Sequence, residues 1–313
     1  MSEAYSFSLV CDEFDQFNEL AKDWDVDFRA LSSPDTESIH LFQSHTGQTQ
    51  LSFAHFGLAV DQRALAPVGA RNIAILPPNH PDLYWCGKHI TGGQVLLFNK
   101  SGEMESISKQ GFEVFSLSVP EDWLKQSVNV NSSIKIRPEE QVIRCDKNDI
   151  AKLYTKLSSL TKTLQSCSPY GESCQTLQDA TLFEGLSSLL ESASHQSFSL
   201  AKERRMKVLG DALHFIHTKR ERVPVSEICH YTKASERTLE RLFNSVIGLS
   251  PKKYLNRFLL QEAHNSLKKS ASEDTTVMAA AHKLGFTHMG QFSADYYRYF
   301  NELPSITLNG KQG

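Results

Sequence analysis

Arg237, Glu240 and Arg241, with Asn244 beside them, occupy one side of a segment whose other side carries Leu239, Leu242 and Phe243. The apolar residues recur at three- and four-residue spacing, the period of an amphipathic helix. A guanidinium donates through a planar fork and a carboxylate accepts, so the polar side of such a helix offers directional hydrogen bonding. Further along, Met289, Gln291, Ser293 and Ala294 share a second segment with Phe292, Tyr296 and Phe300, which repeat every four residues as a buried stripe.

Both segments need a partner helix to hold them. The first follows Val225-Ser226-Glu227-Ile228-Cys229 and a polar turn through Thr232-Lys233-Ala234; the second follows Val277-Met278-Ala279-Ala280-Ala281 and a turn at Leu284-Gly285-Phe286. Ile228 and Cys229, then Ala280 and Ala281, are small or aliphatic enough to let one helix pack across the other. Ser235 is placed to cap the first segment, its hydroxyl accepting from an unpaired amide of the next turn. Gly285 suits the positive φ expected just past a helix end. The chain thus spells a helix-turn-helix twice, over about 225–247 and about 276–300. Two such units can read two major-groove faces without a second copy, so double-stranded DNA is the expected partner.

These residues resemble the DNA-binding domain of the AraC/XylS family of transcription regulators, over roughly a third of the chain. The likeness runs through Leu239-x-Arg241-Leu242-Phe243 and Gly248-Leu249-Ser250-Pro251-x-x-Tyr254-Leu255. It resumes at Ala263, Leu267, Ala281-x-x-x-Gly285-Phe286, Phe292, Tyr296, Phe300 and Pro304-Ser305. Two copies bridged by Ser-Pro-x-x-Tyr-Leu are a far more specific signal than one. The resemblance implies that Arg237, Glu240 and Arg241 face base edges, where arginine bridges two acceptors of guanine and glutamate accepts from cytosine. It implies the same position for Met289, Gln291, Ser293 and Ala294. Leu259, Asn301 and Cys229 depart from the family's usual residues without consequence for the fold. Ala294 stands where an arginine is frequent, which removes a charge from the second reading helix. The ending Gly285-Phe286-x-His288-x-Gly290-Gln291-Phe292 is similar to the branch containing ethanolamine-operon regulators, as is Trp24-Asp25 with Arg29-Ala30-Leu31. The ligand of that branch is not carried over.

Charge divides the chain independently of any motif. Residues 1–200 hold 15 Lys and Arg against 25 Asp and Glu, a net of −10, whereas residues 201–313 hold 18 against 11, a net of +7. A nucleic-acid module joined to a non-binding module shows this asymmetry. No apolar run reaches the ~20 residues of a membrane span. The start, Met1-Ser2-Glu3-Ala4-Tyr5, lacks the basic-then-apolar order of a signal peptide. Cys11, Cys86, Cys145, Cys167, Cys174 and Cys229 are scattered without a Cys-x-x-Cys pair, as reduced thiols of a cytoplasmic protein would be. The alternative for two of them is a redox pair, Cys167 with Cys174, across Pro169-Tyr170-Gly171.

Residues 1–145 read as strands and turns. Ile73-Ala74-Ile75-Leu76 stops at Pro77-Pro78, Val95-Leu96-Leu97-Phe98 ends at Asn99-Lys100-Ser101-Gly102, and Val114 to Val119 ends at Pro120. Short β runs punctuated by Gly and Pro indicate a small barrel or sandwich; the family resemblance implies a cupin-like effector domain. His40, His45 and His55 lack the His-x-His spacing that puts two imidazoles on one face of a strand, so no metal is expected. His214 and His217, three apart, read as structural. Trp24, Trp85 and Trp123 read as core aromatics, Gly92-Gly93 as a turn, and no catalytic residues cluster in this part.

From residue 146 to 193 the pattern is helical. Ile150, Leu153, Leu157, Leu160 and Leu164 form a heptad seam, which either covers the β domain or pairs with a second copy. Leu182, Leu186 and Leu189-Leu190 form another stripe, and the serines between 192 and 199 suggest a linker over 194–203. The expected architecture is α+β: a β-rich cupin-like domain, a helical dimerisation segment, and an all-α domain over 204–308 with two helix-turn-helix motifs. The expected function is sequence-specific regulation of transcription controlled by a small-molecule effector; the alternatives are a constitutive regulator whose first domain only dimerises, and an enzyme domain fused to a DNA anchor. Promoter DNA, RNA polymerase and a small-molecule effector are the partners, a homodimer is an option, and no cofactor, metal or membrane is involved.

Overall fold

The structure is a computed structural model that describes residues 3–12, 14–31, 38–67, 69–99, 101–123, 141–269 and 275–310. Met1, Ser2 and Lys100, singled out above, lie outside this set. The chain divides into two compact units, one of residues 1–28, 36–86 and 90–198, the other of residues 29–35, 87–89 and 199–313.

The chain begins with β1 (Tyr5–Cys11), α1 (Phe14–Leu20), β2 (Asp25–Ala30), β3 (Ile39–His45), β4 (Gln50–Phe56), β5 (Val60–Leu65) and β6 (Ala70–Ile75). It continues through β7 (Leu83–Trp85), β8 (Lys88–Ile90), β9 (Gln94–Leu97), β10 (Glu103–Ser108), β11 (Phe112–Pro120) and β12 (Val142–Arg144). Two helices follow, α2 (Lys147–Ser166) and α3 (Glu172–Glu191), then β13 (Ser194–His195). Eight strands form one sheet in the order β1-β3-β4-β11-β6-β9-β12-β13, and five form another in the order β2-β5-β10-β7-β8. No strand of one sheet pairs with a strand of the other among the described residues. The arrangement is therefore the sandwich alternative; the cupin-like barrel is not closed.

Strand periodicity explains why the larger sheet lies between two apolar layers. Along β4 and β11, alternate residues point to opposite faces. Leu51, Phe115 and Leu117 join the core shared with the helices. Ser52, Ala54, Val114 and Ser116 line the space toward the second sheet. A sheet covered on both sides needs apolar residues on both, which is why Ile73-Ala74-Ile75 reads as an unbroken run.

The helices cover the outer face. Ile150, Leu153, Leu157, Leu160 and Leu164 are all buried, together with Leu182, Leu186, Leu189 and Leu190, against Phe42, Leu51, Ile73, Leu97 and Leu117. The seam that the sequence offered for pairing with a second copy is covered within the chain. The physical reason is that the sheet's outer face is itself apolar, and burying each large side chain there contributes roughly 1.5–3 kcal/mol. Close approach of the two helices depends on Gly185, where an added Cβ would meet Leu153 Cδ1 at 2.5 Å. Between the helices Cys167 and Cys174 are joined by a disulfide, so the six-thiol expectation fails for this pair. Ser194 and His195, expected in a linker, instead pair with Arg144 and Ile143 of β12.

The second unit is helical from residue 200 onward: α4 (Leu200–Lys219), α5 (Val225–Thr232), α6 (Glu236–Val246), α7 (Pro251–Lys269), α8 (Val277–Lys283), α9 (Met289–Phe300) and α10 (Pro304–Asn309). Ser199 caps α4 through Lys202 N. The short helices α5 and α9 end at Lys233 and Asn301 in the left-handed conformation, with φ of 53° and 56°, a common way to satisfy terminal carbonyls. Among the described residues no helix is long and apolar enough to cross a membrane.

Candidate nucleic-acid interface

The helix expected to be the first reader is α6. Ser235 stands at its N-cap and accepts from Thr238 N, the bond its sequence position predicts. Leu239, Leu242, Phe243 and Val246 are buried, and Phe243 packs edge-on against Tyr254 of α7 at 5.6 Å between centroids. α5 sits across the turn and contributes Ile228, fully buried; Cys229, expected beside it in the core, is only half-buried. The opposite side of α6 presents Arg237, Glu240, Arg241 and Asn244, all exposed. None of these four takes part in an ion pair or hydrogen bond with another side chain among the described residues. Their donors and acceptors are thus available, on a rigid helix, to an external partner.

α9 repeats the arrangement with different contents. Thr276 caps the preceding α8 through Ala279 N, and Ala280 and Ala281 are buried as the sequence implies. Gly285 has φ +82°, and a Cβ there would come within 2.9 Å of Arg222 Cβ, so both backbone angle and space require glycine. Phe292 and Tyr296 are buried; Tyr299 is more buried than the expected Phe300, which lies half-exposed and stacks on His264 at 4.1 Å. Gln291 and Ala294 are exposed, whereas Met289 and Ser293 are half-buried. The Gln291 amide already donates to Asp295 Oδ1 at 2.8 Å, and Arg298 Nη1 donates to the same oxygen at 3.0 Å. Arg298, which the sequence reading passed over, is the exposed cation of this helix.

A polar knot holds α9 in place. His264 of α7, buried, pairs through Nδ1 with the Tyr296 hydroxyl at 2.7 Å; that hydroxyl also meets Thr307 Oγ1 of α10 at 2.7 Å, and Thr307 donates to Glu302. The first half has an imidazole–hydroxyl pair as well, His217 Nε2 and the hydroxyl of buried Tyr254 lying 2.7 Å apart. His217 is structural, as its sequence context indicates. Beside α6, Arg222, Ser226, Glu236 and Lys252 line an open groove of about 560 Å³. Arg222 and Lys252 are exposed cations of a kind that meets phosphate, and no motif marked them beforehand.

The first unit contains two recesses that the sequence did not locate. One lies between the sheets, lined by Phe17, Trp24, Leu41, Trp85, Phe98 and Met104 among others, with little open space, about 60 Å³. Trp24 and Trp85 both meet Phe98 edge-on, at 5.4 and 5.0 Å. The Trp24 indole N–H donates to Gln50 Oε1 at 2.6 Å, and Gln50 in turn donates to the Tyr5 hydroxyl. The other recess is open and acidic, with Asp25, Asp27, Glu103, Glu105 and Arg63 around it. Burial, reinforced by neighbouring Asp61, pushes the Glu105 carboxyl up to about 7, against the opposing pull of Arg63 and Tyr84. His40, His45 and His55 are held locally: His40 by Ser38, His55 by Glu113, and His45 by Gly47 N and the Tyr5 ring. Among the described residues no three His, Cys, Asp or Glu are placed to hold a metal ion.

Two helix-turn-helix units on one chain, each with a buried stripe and a polar outer face, define a class of DNA-binding protein, and known sequences narrow the class. Residues 228–310 match the helix-turn-helix domain family. The xylDLEGF operon transcriptional activator 1 of Pseudomonas putida is 24% identical over 221 residues, covering 69% of this chain and 67% of that protein. The transcriptional activator RhaS of Shigella boydii serotype 18 is 35% identical over 79 residues, and the match spans 25% of this chain and 27% of RhaS. A solved structure of a probable AraC family transcriptional regulator from Rhodopseudomonas palustris is 33% identical, covering 34% of this chain and 98% of that one, at a TM-score of 0.32. Residues 228–310 thus carry the helix-turn-helix domain of AraC/XylS-type transcription regulators, and the relatives that the chain resembles are activators of that type.

Proposed function

We propose that this chain is a sequence-specific transcription activator that binds promoter DNA through α6 and α9 and is controlled by a small molecule held in its first unit. The observation that carries the reading is the pair of helix-turn-helix units, one presenting Arg237, Glu240, Arg241 and Asn244 without intramolecular partners. Arginine and glutamate at base edges specify sequence, while Arg222 and Lys252 beside them suit the phosphate contacts that set register. The protein acts by binding: effector contacts shift the balance between states that differ in DNA affinity, and RNA polymerase is the partner recruited in the cytoplasm. A mobility-shift assay on the promoter next to the gene tests this directly; a chain that binds no better there than to scrambled duplex defeats it.

The recess between the sheets is the proposed effector site. Its walls are mainly apolar and aromatic, with Gln43, Ser52, Gln62 and Ser116 as the polar exceptions, a lining typical of small-molecule pockets. It suits an uncharged, largely apolar molecule, and its small open volume requires the walls to move apart on binding. Trp24 and Trp85 lie in the wall, so intrinsic fluorescence should change during titration with such compounds. An unchanged emission spectrum across a library of apolar metabolites would count against this site.

Reading two half-sites does not require a second copy. A homodimer, should one form on DNA, must use a surface other than Ile150, Leu153, Leu157, Leu160 and Leu164, which this core already buries. Leu157→Glu with Leu160→Glu should unfold the first unit, seen as lost near-ultraviolet circular dichroism. A folded monomer in light scattering would instead restore the seam to a dimer.

A further inference from the structure

The loop between α2 and α3 carries the two sulfurs that the structure brings together. Cys167 stands at the C-cap of α2 and Cys174 in the first turn of α3, both half-buried at the edge of the core. The other four cysteines are not joined in disulfides: Cys11 and Cys145 are buried, and Cys86 and Cys229 half-buried. Burial, with Asp149 nearby, pushes the Cys145 thiol up to about 12, which keeps it protonated and inert. Reach and access therefore single out Cys167 and Cys174.

What the loop touches gives the pair a consequence. Tyr170, inside the ring that the disulfide closes, donates its hydroxyl to Gln178 Oε1 at 2.8 Å. Gln178 is fully buried, and the same oxygen accepts from Ser44 Oγ at 2.7 Å. Its Nε2 donates to Thr49 Oγ1 at 3.2 Å, while the adjacent Asp179 accepts from Thr46 and Thr49 hydroxyls at 2.9 and 2.7 Å. These residues clamp the turn between β3 and β4. The same two strands carry Gln43 and Ser52 into the recess between the sheets.

We infer that Cys167 and Cys174 form a reversible thiol–disulfide modification site whose state sets how firmly α3 grips the β3–β4 turn. The oxidant is a low-molecular-weight disulfide. One cysteine thiolate attacks it and expels a thiolate; the second attacks the resulting mixed disulfide and expels the other. Two protein S–H bonds and one small-molecule S–S bond are lost, while one protein S–S bond and two small-molecule S–H bonds form. The protein gives up two electrons and the small disulfide takes them. With the ring closed, Tyr170 is held against Gln178; with it open, the loop gains freedom and that hydrogen bond is populated less.

The full-length protein tests this in two readouts. Equilibrated with glutathione disulfide, Cys167 and Cys174 should resist maleimide labelling; after excess dithiothreitol both should label, and return to glutathione disulfide should restore protection. A pair that stays protected in dithiothreitol, or stays labelled in glutathione disulfide, overturns the site. Hydrogen exchange then reads the clamp. Protection of amides 44–50 should fall by about fivefold on reduction, the factor for one neutral hydrogen bond. Equal protection in both states overturns the coupling. Cys167→Ser with Cys174→Ser should match the reduced form in both buffers. Tyr170→Phe retains both cysteines and should show the weakened protection even when oxidised, so the test stands if the double variant does not fold.

Discussion

The two helix-turn-helix units share a backbone plan and differ in what they do with their polar atoms. α6 turns its charged groups outward and holds itself with Leu239, Leu242, Phe243 and Val246. α9 extends its Tyr296–His264 pair through Thr307 to Glu302, where the first half has the His217–Tyr254 pair, and it ties its exposed Gln291 to Asp295. A group that is already bonded must give up that bond before it can read a base; one that is not can engage at once. We propose on this basis a division of labour, in which the first copy would supply sequence discrimination and the second a firmly positioned platform whose exposed Arg298 is paired with Asp295.

The strongest way to break this contrast is through the cores. Phe243→Ala empties a fully buried aromatic site and should cost about 3–5 kcal/mol in chemical denaturation. His264→Ala should cost about 2–4 kcal/mol, because it removes ring packing and leaves the Tyr296 hydroxyl short of a partner in a buried site. Hydrogen exchange separates the two: His264→Ala should expose amides of 289–307 before those of 236–246. Loss of protection in both stretches together would show one cooperative unit rather than two differently built halves.

The next effect lies at the surface. Arg237→Ala and Arg241→Ala should each weaken binding to the cognate promoter by about 1–3 kcal/mol and relax the base preference they set. Gln291→Ala should lose less, since the wild-type amide must first leave Asp295. Fluorescence anisotropy on the same duplex ranks the three. A Gln291 loss equal to that of Arg237 would erase the contrast, as would a site selection with equal information in both halves.

Much of this contrast was legible in the sequence, and the reasons are local. The period of Leu239, Leu242 and Phe243, the cap at Ser235 and the glycine at 285 depend on near neighbours in the chain, so spacing alone places them. The His264–Tyr296–Thr307 knot and the Gln178 clamp join residues far apart in sequence, and no pattern foretells them. The stripe from Ile150 to Leu164 shows the limit most clearly. Its spacing declares a buried face, but whether its cover is a second copy or the chain's own sheet depends on residues such as Ile73 and Leu117 that only the fold brings near. The recess between the sheets was hidden for a similar reason: Trp24 and Trp85 have the composition of core residues, and a cavity is a shape.

The smallest expected effect is also the most direct probe of the second helix. Ala294 is exposed on α9, at the position where the family resemblance implies a frequent arginine. Ala294→Arg places a cation there without removing any bond. A phosphate contact so created should steepen the dependence of log affinity on log salt by about 0.9 and tighten binding several-fold at low ionic strength. The gain is limited because Arg298 lies four residues on, where like charges on a helix cost a few tenths of a kcal/mol; Asp295, already bonded to Arg298, softens that repulsion. Measuring anisotropy across a salt series separates the slope from the affinity. An unchanged slope would mean that Ala294 faces away from the duplex, and the platform assigned to α9 would then have to lie on another face of that helix.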